Sequence, residues 1–448
     1  MRPRGVRHER RIQRRGLPLL LIVVTAVLVV GMTGLVKLVT DDEGGTVPPE
    51  TGPLPRWGLT HTQFSADVGD PASMAAAEQV LGRQALLQNQ HIMGWGVGNP
   101  EPAPGVYDFS DLDRRMELIR RTGGVPVITL CCAPDWMKGG QPGQTDWGTI
   151  ERAPSPEHYQ DFADLAGEIA ARYPEVRHFI VWNELKGFFD AEADRWDYEG
   201  YTRLYNLVYE AVKAVDPDNR VGGPYPVMVS EPSGWDGSPS EIAGPWGVVD
   251  QRSLDVVDYW LEHMVGADFI VIDAATTVRD GRLMTDPFDA TEKLEAVSAW
   301  VGQRTDLPLW WAEWYVEPTG AAWQEPYRVA VQASAMIALV ESDVAAALYW
   351  NPQAMRRTCP GCLWTSTSSS DGGRATQMAA VLAGFARYFP SGTRLVDLPA
   401  PSAEVQVLAQ SEQAVVVNAV DRPQRVTIGH EVLSLDPYEV RFVSHGDS

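Results

Sequence analysis

With 448 residues, 44% of them hydrophobic, the chain is long enough for one large domain with appendages, and its composition excludes disorder along its whole length. The formal net charge is -22 although seven arginines fall within the first fifteen residues, so the rest of the chain is strongly acidic. Such a body is not expected to attract nucleic acid or polyanionic polymers through its overall field.

Taken in chain order, residues 1–15 are a basic segment, and Gly16 to Val36 follow without a charge. Twenty-one uncharged residues span a bilayer, and the arginines before them remain cytoplasmic, so residues 16–39 are expected to form a single-pass transmembrane signal anchor. The rival reading is a cleaved signal peptide and a secreted protein, but the run is long for an h-region and no A-x-A site follows it. Residues 40–55, with DDEGGTVPPETGPLP, have the Pro, Gly and acid content of an extended stalk. Everything beyond is then expected outside the cytoplasm, held to the cell membrane.

From Arg56 onward, short apolar runs alternate with helical patterns. Strands are predicted at Trp57 to Gln63, His91 to Gly96, Val125 to Cys132, Phe179 to Glu184, Arg220 to Pro224, Phe269 to Ala274, Leu309 to Tyr315 and Ala345 to Trp350. Amphipathic stretches such as HYQDFADLAGEIAARY and YTRLYNLVYEAVKAV lie between them. Eight strand and helix units over residues 56–389 predict an α/β fold, a (β/α)8 TIM barrel. An open doubly wound sheet is the rival, yet no G-x-G-x-x-G follows the first strand. Long loops at Lys138 to Pro156 and Val227 to Arg252 follow strands three and five, where barrels build their clefts. Past Pro390, five short strands predict a small β-sandwich-like module over residues 390–448, packed on the barrel.

The four cysteines are adjacent at Cys131 and Cys132 and spaced as CPGC at Cys359 and Cys362. Zinc would need four converging thiolates, which a vicinal pair without a nearby histidine does not offer. Cys359 and Cys362 are expected to form a local disulfide outside the cytoplasm, and Cys131 and Cys132 to serve as buried small hydrophobes.

Two stretches carry chemistry. His178 to Phe189 (HFIVWNELKGFF) runs an apolar strand into Glu184, and Leu307 to Tyr315 (LPLWWAEWY) runs another into Glu313. Strand ends are where barrel enzymes place catalytic groups. Retaining glycosidases need one carboxylic acid and one nucleophilic carboxylate about 5 to 5.5 Å apart, and ends of different strands supply that separation. Flanking tryptophans are expected to raise the pKa of the acid. Asn183 is a candidate for holding a sugar hydroxyl. Of the sixteen tryptophans, Trp136 and Trp350 are the candidates for stacking on sugar rings. His61, His91, His158, His178 and His263 lack metal spacing, and neither a G-x-S-x-G nor a P-loop is present, so no metal or cofactor is implied.

FIVWNELKGFF, YTRLYNLVYEAVKAVDPDNRVGGP and WWAEWY resemble clan A glycoside hydrolases, most closely family thirty-nine, the β-xylosidases and α-L-iduronidases. The resemblance runs from about Trp57 to Trp350. It implies the barrel with a β accessory module, a carbohydrate substrate, Glu184 as acid/base and Glu313 as nucleophile. The chain departs from the family at the end of strand six: IDAATT, with Asp273 and Ala275, stands where a His-x-Tyr is usual, its tyrosine touching the nucleophile. The sugar pocket is therefore expected to be rebuilt. The function expected is a retaining hydrolase of O-glycosidic bonds in a cell-surface or extracellular oligo- or polysaccharide. The alternative is a barrel that binds glycan with little or no turnover.

Overall fold

The protein is described from a computed structural model, which covers residues 54–354, 359 and 361–445. The expected basic segment, the anchor and nearly all of the stalk lie outside the described residues. Among the described residues, no helix is long and apolar enough to cross a membrane.

Eight parallel strands close into a barrel: β1 (Trp57–Thr60), β2 (Leu87–His91), β3 (Val125–Leu130), β4 (His178–Val181), β5 (Arg220–Val227), β6 (Phe269–Ala275), β7 (Leu309–Tyr315) and β8 (Ala346–Trp350). Pairing runs in sequence order, and β1 closes on β8 through Trp57 opposite Ala347 and Thr60 opposite Trp350. Helices α1 (Pro71–Leu81), α2 (Ser110–Arg121), α3 (Tyr159–Arg172), α4 (Tyr198–Val215), α5 (Gln251–His263), α6 (Glu292–Gly302), α7 (Glu325–Glu341) and α8 (Gln377–Tyr388) alternate with the strands. Strand residues divide by their period of two. Ile180, Val271, Trp310 and Leu348 fill the barrel interior, whereas Phe179, Ile272, Trp311 and Tyr349 join the larger core beneath the helices.

The second strand differs from the sequence expectation, which began it at His91. LQNQH is polar, so hydrophobic pattern alone passes over it, yet every residue in it is buried. Its side chains are satisfied inside: Asn89 donates to the Thr60 hydroxyl at 3.0 Å and accepts from Thr129 at 2.9 Å, and Gln88 donates to Thr122 at 3.1 Å. A buried polar group costs little once paired. The predicted MGWG instead forms the turn that leaves the strand, with Gly94 and Gly96 at φ 78° and 95°.

Beyond α8 lie six strands where five were predicted. β9 (Leu395–Val396), β10 (Val405–Gln410), β11 (Gln413–Asn418) and β14 (Val440–Ser444) form one antiparallel sheet, and β12 (Gln424–Ile428) pairs with β13 (Glu431–Leu435) as a hairpin. The run VLSLDPYEVRFV divides because Tyr438 takes φ 56° and the Glu439 carboxylate accepts from the Asp436 N–H at 2.8 Å, closing a turn. Val416 and Val405 meet Val426 and Leu433 in a core shared by sheet and hairpin. Phe442 holds the sheet against α8 by meeting Phe385 and Tyr388, each at 5.6 Å between ring centroids. Gly384 leaves room for it, since a Cβ there would lie 2.2 Å from the Phe442 ring.

Both cysteine pairs are disulfides: Cys359 joins Cys362 as expected, and Cys131 joins Cys132. Cys131 and Cys132 are buried, but they are bonded to each other and not merely small apolar residues.

Candidate active site

Glu184 and Glu313 meet at the C-terminal mouth of the barrel, and Asp273 joins them. One carboxylate oxygen from each of the three lies within 4.8 Å of the others. Glu313 is 2% exposed and Asp273 1% exposed, while Glu184 is half-buried at the rim.

Local backbone irregularities aim these side chains. After β4, Trp182 and Glu184 adopt left-handed φ values of 70° and 52°, followed by Leu185 at 49°. Non-glycine residues there cost about 1–3 kcal/mol each and persist where surrounding structure enforces them. Trp182 is thereby turned outward against Phe162 and Phe188, and its indole donates to the Lys186 carbonyl at 2.8 Å.

In β7, strict alternation would put Trp310 and Ala312 inside and Glu313 outside. The pairing with β6 slips here: Ile272 stands opposite Trp311, but Asp273 stands opposite Glu313. Ala312 is the extra residue of a bulge, and the bulge turns Glu313 inward. A matching slip between β6 and β5 lies beside Tyr225, which also faces the interior.

Two tyrosines brace Glu313. Tyr225 donates to Oε1 at 2.6 Å, and Tyr315 donates a short hydrogen bond to Oε2. Burial pushes the Glu313 carboxyl above the usual range and the Glu184 charge adds to this, while the two tyrosine hydrogen bonds pull the other way. Asp273 is held well above the carboxylate range by burial, then by the charges of Glu313 and Glu184 and a hydrogen bond to Glu184. Lys186 sits 2.6 Å from Glu184 and 2.8 Å from Glu151. Burial disfavours its ammonium, but those carboxylates outweigh burial and keep it charged.

The tryptophans beside Glu313 in sequence pack away from its carboxyl. Trp311 donates to Ser298 of α6 at 3.1 Å and Trp314 packs edge-on to Tyr349 at 4.7 Å, both on the helix side. Burial and then the Glu184 charge raise the Glu313 carboxyl.

Asn183 accepts a hydrogen bond at Oδ1 from His91 Nε2 (3.2 Å), an interaction that needs His91 protonated on that nitrogen. Its buried Nδ2 has no protein partner, leaving a donor for a ligand. Trp350, at the end of β8, meets His91 at 5.8 Å and Trp95 at 6.0 Å, forming an aromatic wall next to Asn183. Trp136 lies in the 3-10 turn Asp135–Lys138, where its indole donates to the Glu101 carbonyl at 2.9 Å and its ring meets His158 at 5.4 Å. None of these contacts brings it to the carboxyls.

Beyond the wall, a cleft of about 550 Å3 is lined by Gln63, Trp95, Asp111, Trp147 and Glu151, with Trp147 50% exposed. Sequence reasoning missed Tyr225, Tyr315, Lys186 and His91, and marked Asp273 only as a departure. Tyr315 and Lys186 each stand two residues past a candidate glutamate, which is the signal that points to them. The three acids could also surround a cation, but the Lys186 ammonium already balances charge beside Glu184.

Comparison with known proteins bears on this geometry. Residues 98–357 match the profile of Glycosyl hydrolases family 39. A β-xylosidase from Caldicellulosiruptor saccharolyticus is 23% identical over 256 residues, covering 54% of this chain and 48% of the relative, so the chain spans about half the length of that protein. Two solved structures share the fold. A monomeric β-xylosidase from Caulobacter crescentus has TM-score 0.54 at 18% identity, covering 84% of this chain and 76% of its own. A family 39 glycoside hydrolase from Bacteroides cellulosilyticus has TM-score 0.55 at 15% identity, covering 84% and 72%. With the profile matched over more than half of its length, the chain belongs to Glycosyl hydrolases family 39.

Proposed function

We propose that the protein is a retaining glycoside hydrolase that cleaves O-glycosidic bonds of an extracellular or cell-surface oligo- or polysaccharide. The observation carrying this reading is the convergence of Glu184 and Glu313, their nearest oxygens within 4.8 Å, at the ends of β4 and β7. That spacing suits direct attack and leaves less room than the wider pair an inverting water needs.

In the first step Glu313 attacks the anomeric carbon, the glycosidic C–O bond breaks, and Glu184 gives a proton to the departing oxygen. In the second, Glu184 takes a proton from water, whose oxygen attacks the same carbon and frees Glu313. Tyr225 and Tyr315 steady the attacking carboxylate. Asn183 offers Nδ2 to a sugar hydroxyl, and Trp350 supplies a stacking face at the rim. The β-xylosidase relative makes β-xylosides the first substrates to test.

In this reading residues 16–39 anchor the chain, residues 40–55 form the stalk, residues 56–389 the catalytic barrel and residues 390–448 the β module, all beyond the anchor extracytoplasmic. Two disulfides among the described residues support an oxidising compartment. Catalysis is favoured over a purely glycan-binding barrel because binding alone does not require a buried carboxylate braced by two hydroxyls.

The test is NMR of the first product released from an aryl β-xyloside or from an oligosaccharide on which the soluble domain acts. Retained anomeric configuration is expected. An inverted product would exclude Glu313 as nucleophile.

A further inference from the structure

Resting on the function proposed above, we infer that Asp273 and Glu184 form a proton-sharing carboxyl pair, and that this pair, not Glu184 alone, supplies the acid for the first step. Asp273 is thus a positioning residue that acts through Glu184.

The geometry is specific. The pairing slips on both sides of β6 coincide at Asp273, which is set opposite Glu313 on β7 and Val227 on β5. Its side chain continues the interior row begun by Phe269 and Val271 and ends among the carboxyls. It is sealed from solvent and joins no ion pair among the described residues; a Glu184 carboxylate oxygen lies within 4.8 Å, both Glu313 oxygens are already taken by tyrosine hydroxyls, and Asp273 Oδ1 has no partner. Two carboxyls this close, one of them fully buried, disfavour double ionisation, and the proton belongs to the pair.

Groups facing Asp273 fit this role. Glu313 on β7 adds negative charge, and the Tyr225 and Tyr315 hydroxyls are turned to Glu313. Lys186 stands beyond Glu184. From α6, the buried Lys293 ammonium donates to Ser230 Oγ at 2.8 Å and to the Ala275 carbonyl at 2.7 Å, fixing the end of β6. Burial lowers the Lys293 pKa to about 7, so its charge beside Asp273 weakens in the alkaline range.

The need for a shared proton follows from Lys186. Its ammonium lies 2.6 Å from a Glu184 oxygen, an ion pair made with the carboxylate form that the second step uses, whereas the first step needs a proton at hand. The pair reconciles the two steps. Its proton passes through Glu184 to the leaving oxygen, and the proton taken from water in the second step restores it, so no other donor is required. Between the steps Glu313 is esterified and uncharged, and the pair can then carry an added negative charge.

The experiment compares wild type with Asp273→Asn on aryl β-xylosides of good and poor leaving groups across pH. The ratio of kcat/KM for good over poor leaving groups should rise about 100-fold, as for loss of general-acid assistance. The alkaline limb of the profile for poor leaving groups should move to lower pH. Infrared spectra at neutral pH should show a protonated-carboxyl stretch that shifts in deuterium oxide and is lost in Asp273→Asn, which separates it from any signal of Glu313 and does not depend on turnover. An unchanged leaving-group ratio in a folded variant, an unmoved alkaline limb, or absence of that band would each overturn the pair. An inverted product from the wild type would instead sink the proposed function.

Discussion

Glu313 must lose its proton to act as a nucleophile, and two hydroxyls oppose the burial and charge that would keep the proton on. Tyr315→Phe removes one of them. The Glu313 pKa should then rise, so the acidic limb of kcat/KM should move to higher pH, and the maximal rate should fall about 100-fold, as for loss of one preorganised donor. Titrating both proteins with an aryl xyloside checks the sign; an acidic limb that stays in place would show that Tyr315 does not support the anion. At this scale the sequence reveals position better than direction. Glu184 and Glu313 can be found because apolar runs end on them. The inward aim of Glu313 cannot, because simple alternation sends it toward α6, and only the bulge at Ala312 reverses it. Tyr225 is hidden for the same reason.

Among the elements, β4 joins the site to the floor of the barrel. His178, its first residue, packs at a tilt against Trp310 with ring centroids 5.3 Å apart, Trp310 stacks on Phe269 at 4.3 Å, and the His178 Nδ1 is buried without a partner. Burial, and after it the Arg220 charge, lower the His178 pKa to about 4, with Asp268 partly offsetting them. The unfolded chain therefore takes up this proton first: between pH 6.5 and about 4 the fold loses stability, and below that range this residue costs nothing more. His178→Phe should unfold much like wild type at pH 8 and gain over it as pH falls toward 4, by up to about 3 kcal/mol. Urea titrations at several pH values measure this difference, in which carboxylates common to both proteins cancel; a gap that does not widen on acidification refutes it. Strand assignment from sequence succeeds where interiors are apolar, as in β4 and β7, and slips in β2, where Gln88 and Asn89 are buried by pairing with other polar groups.

For the whole molecule, closure of eight strands is legible from their count and alternation. The division of the last run into β13 and β14 is not, because the turn rests on Tyr438 and Glu439, which read as strand residues. If the N-terminal segment is an anchor, protease added to intact cells should release the barrel, and alkylation without reduction should label none of the four cysteines. Resistance to protease until the membrane is broken would reverse the orientation.

The strand direction has one more consequence. β1 starts from the floor, where buried Arg56 reaches Asp343 at 3.5 Å, whereas the three acids stand at the opposite, C-terminal ends of the strands. Residue 54 therefore lies on the face remote from the cleft. If the proposed anchor precedes it, tension on the chain would enter at the floor and leave the mouth clear for the proposed glycan.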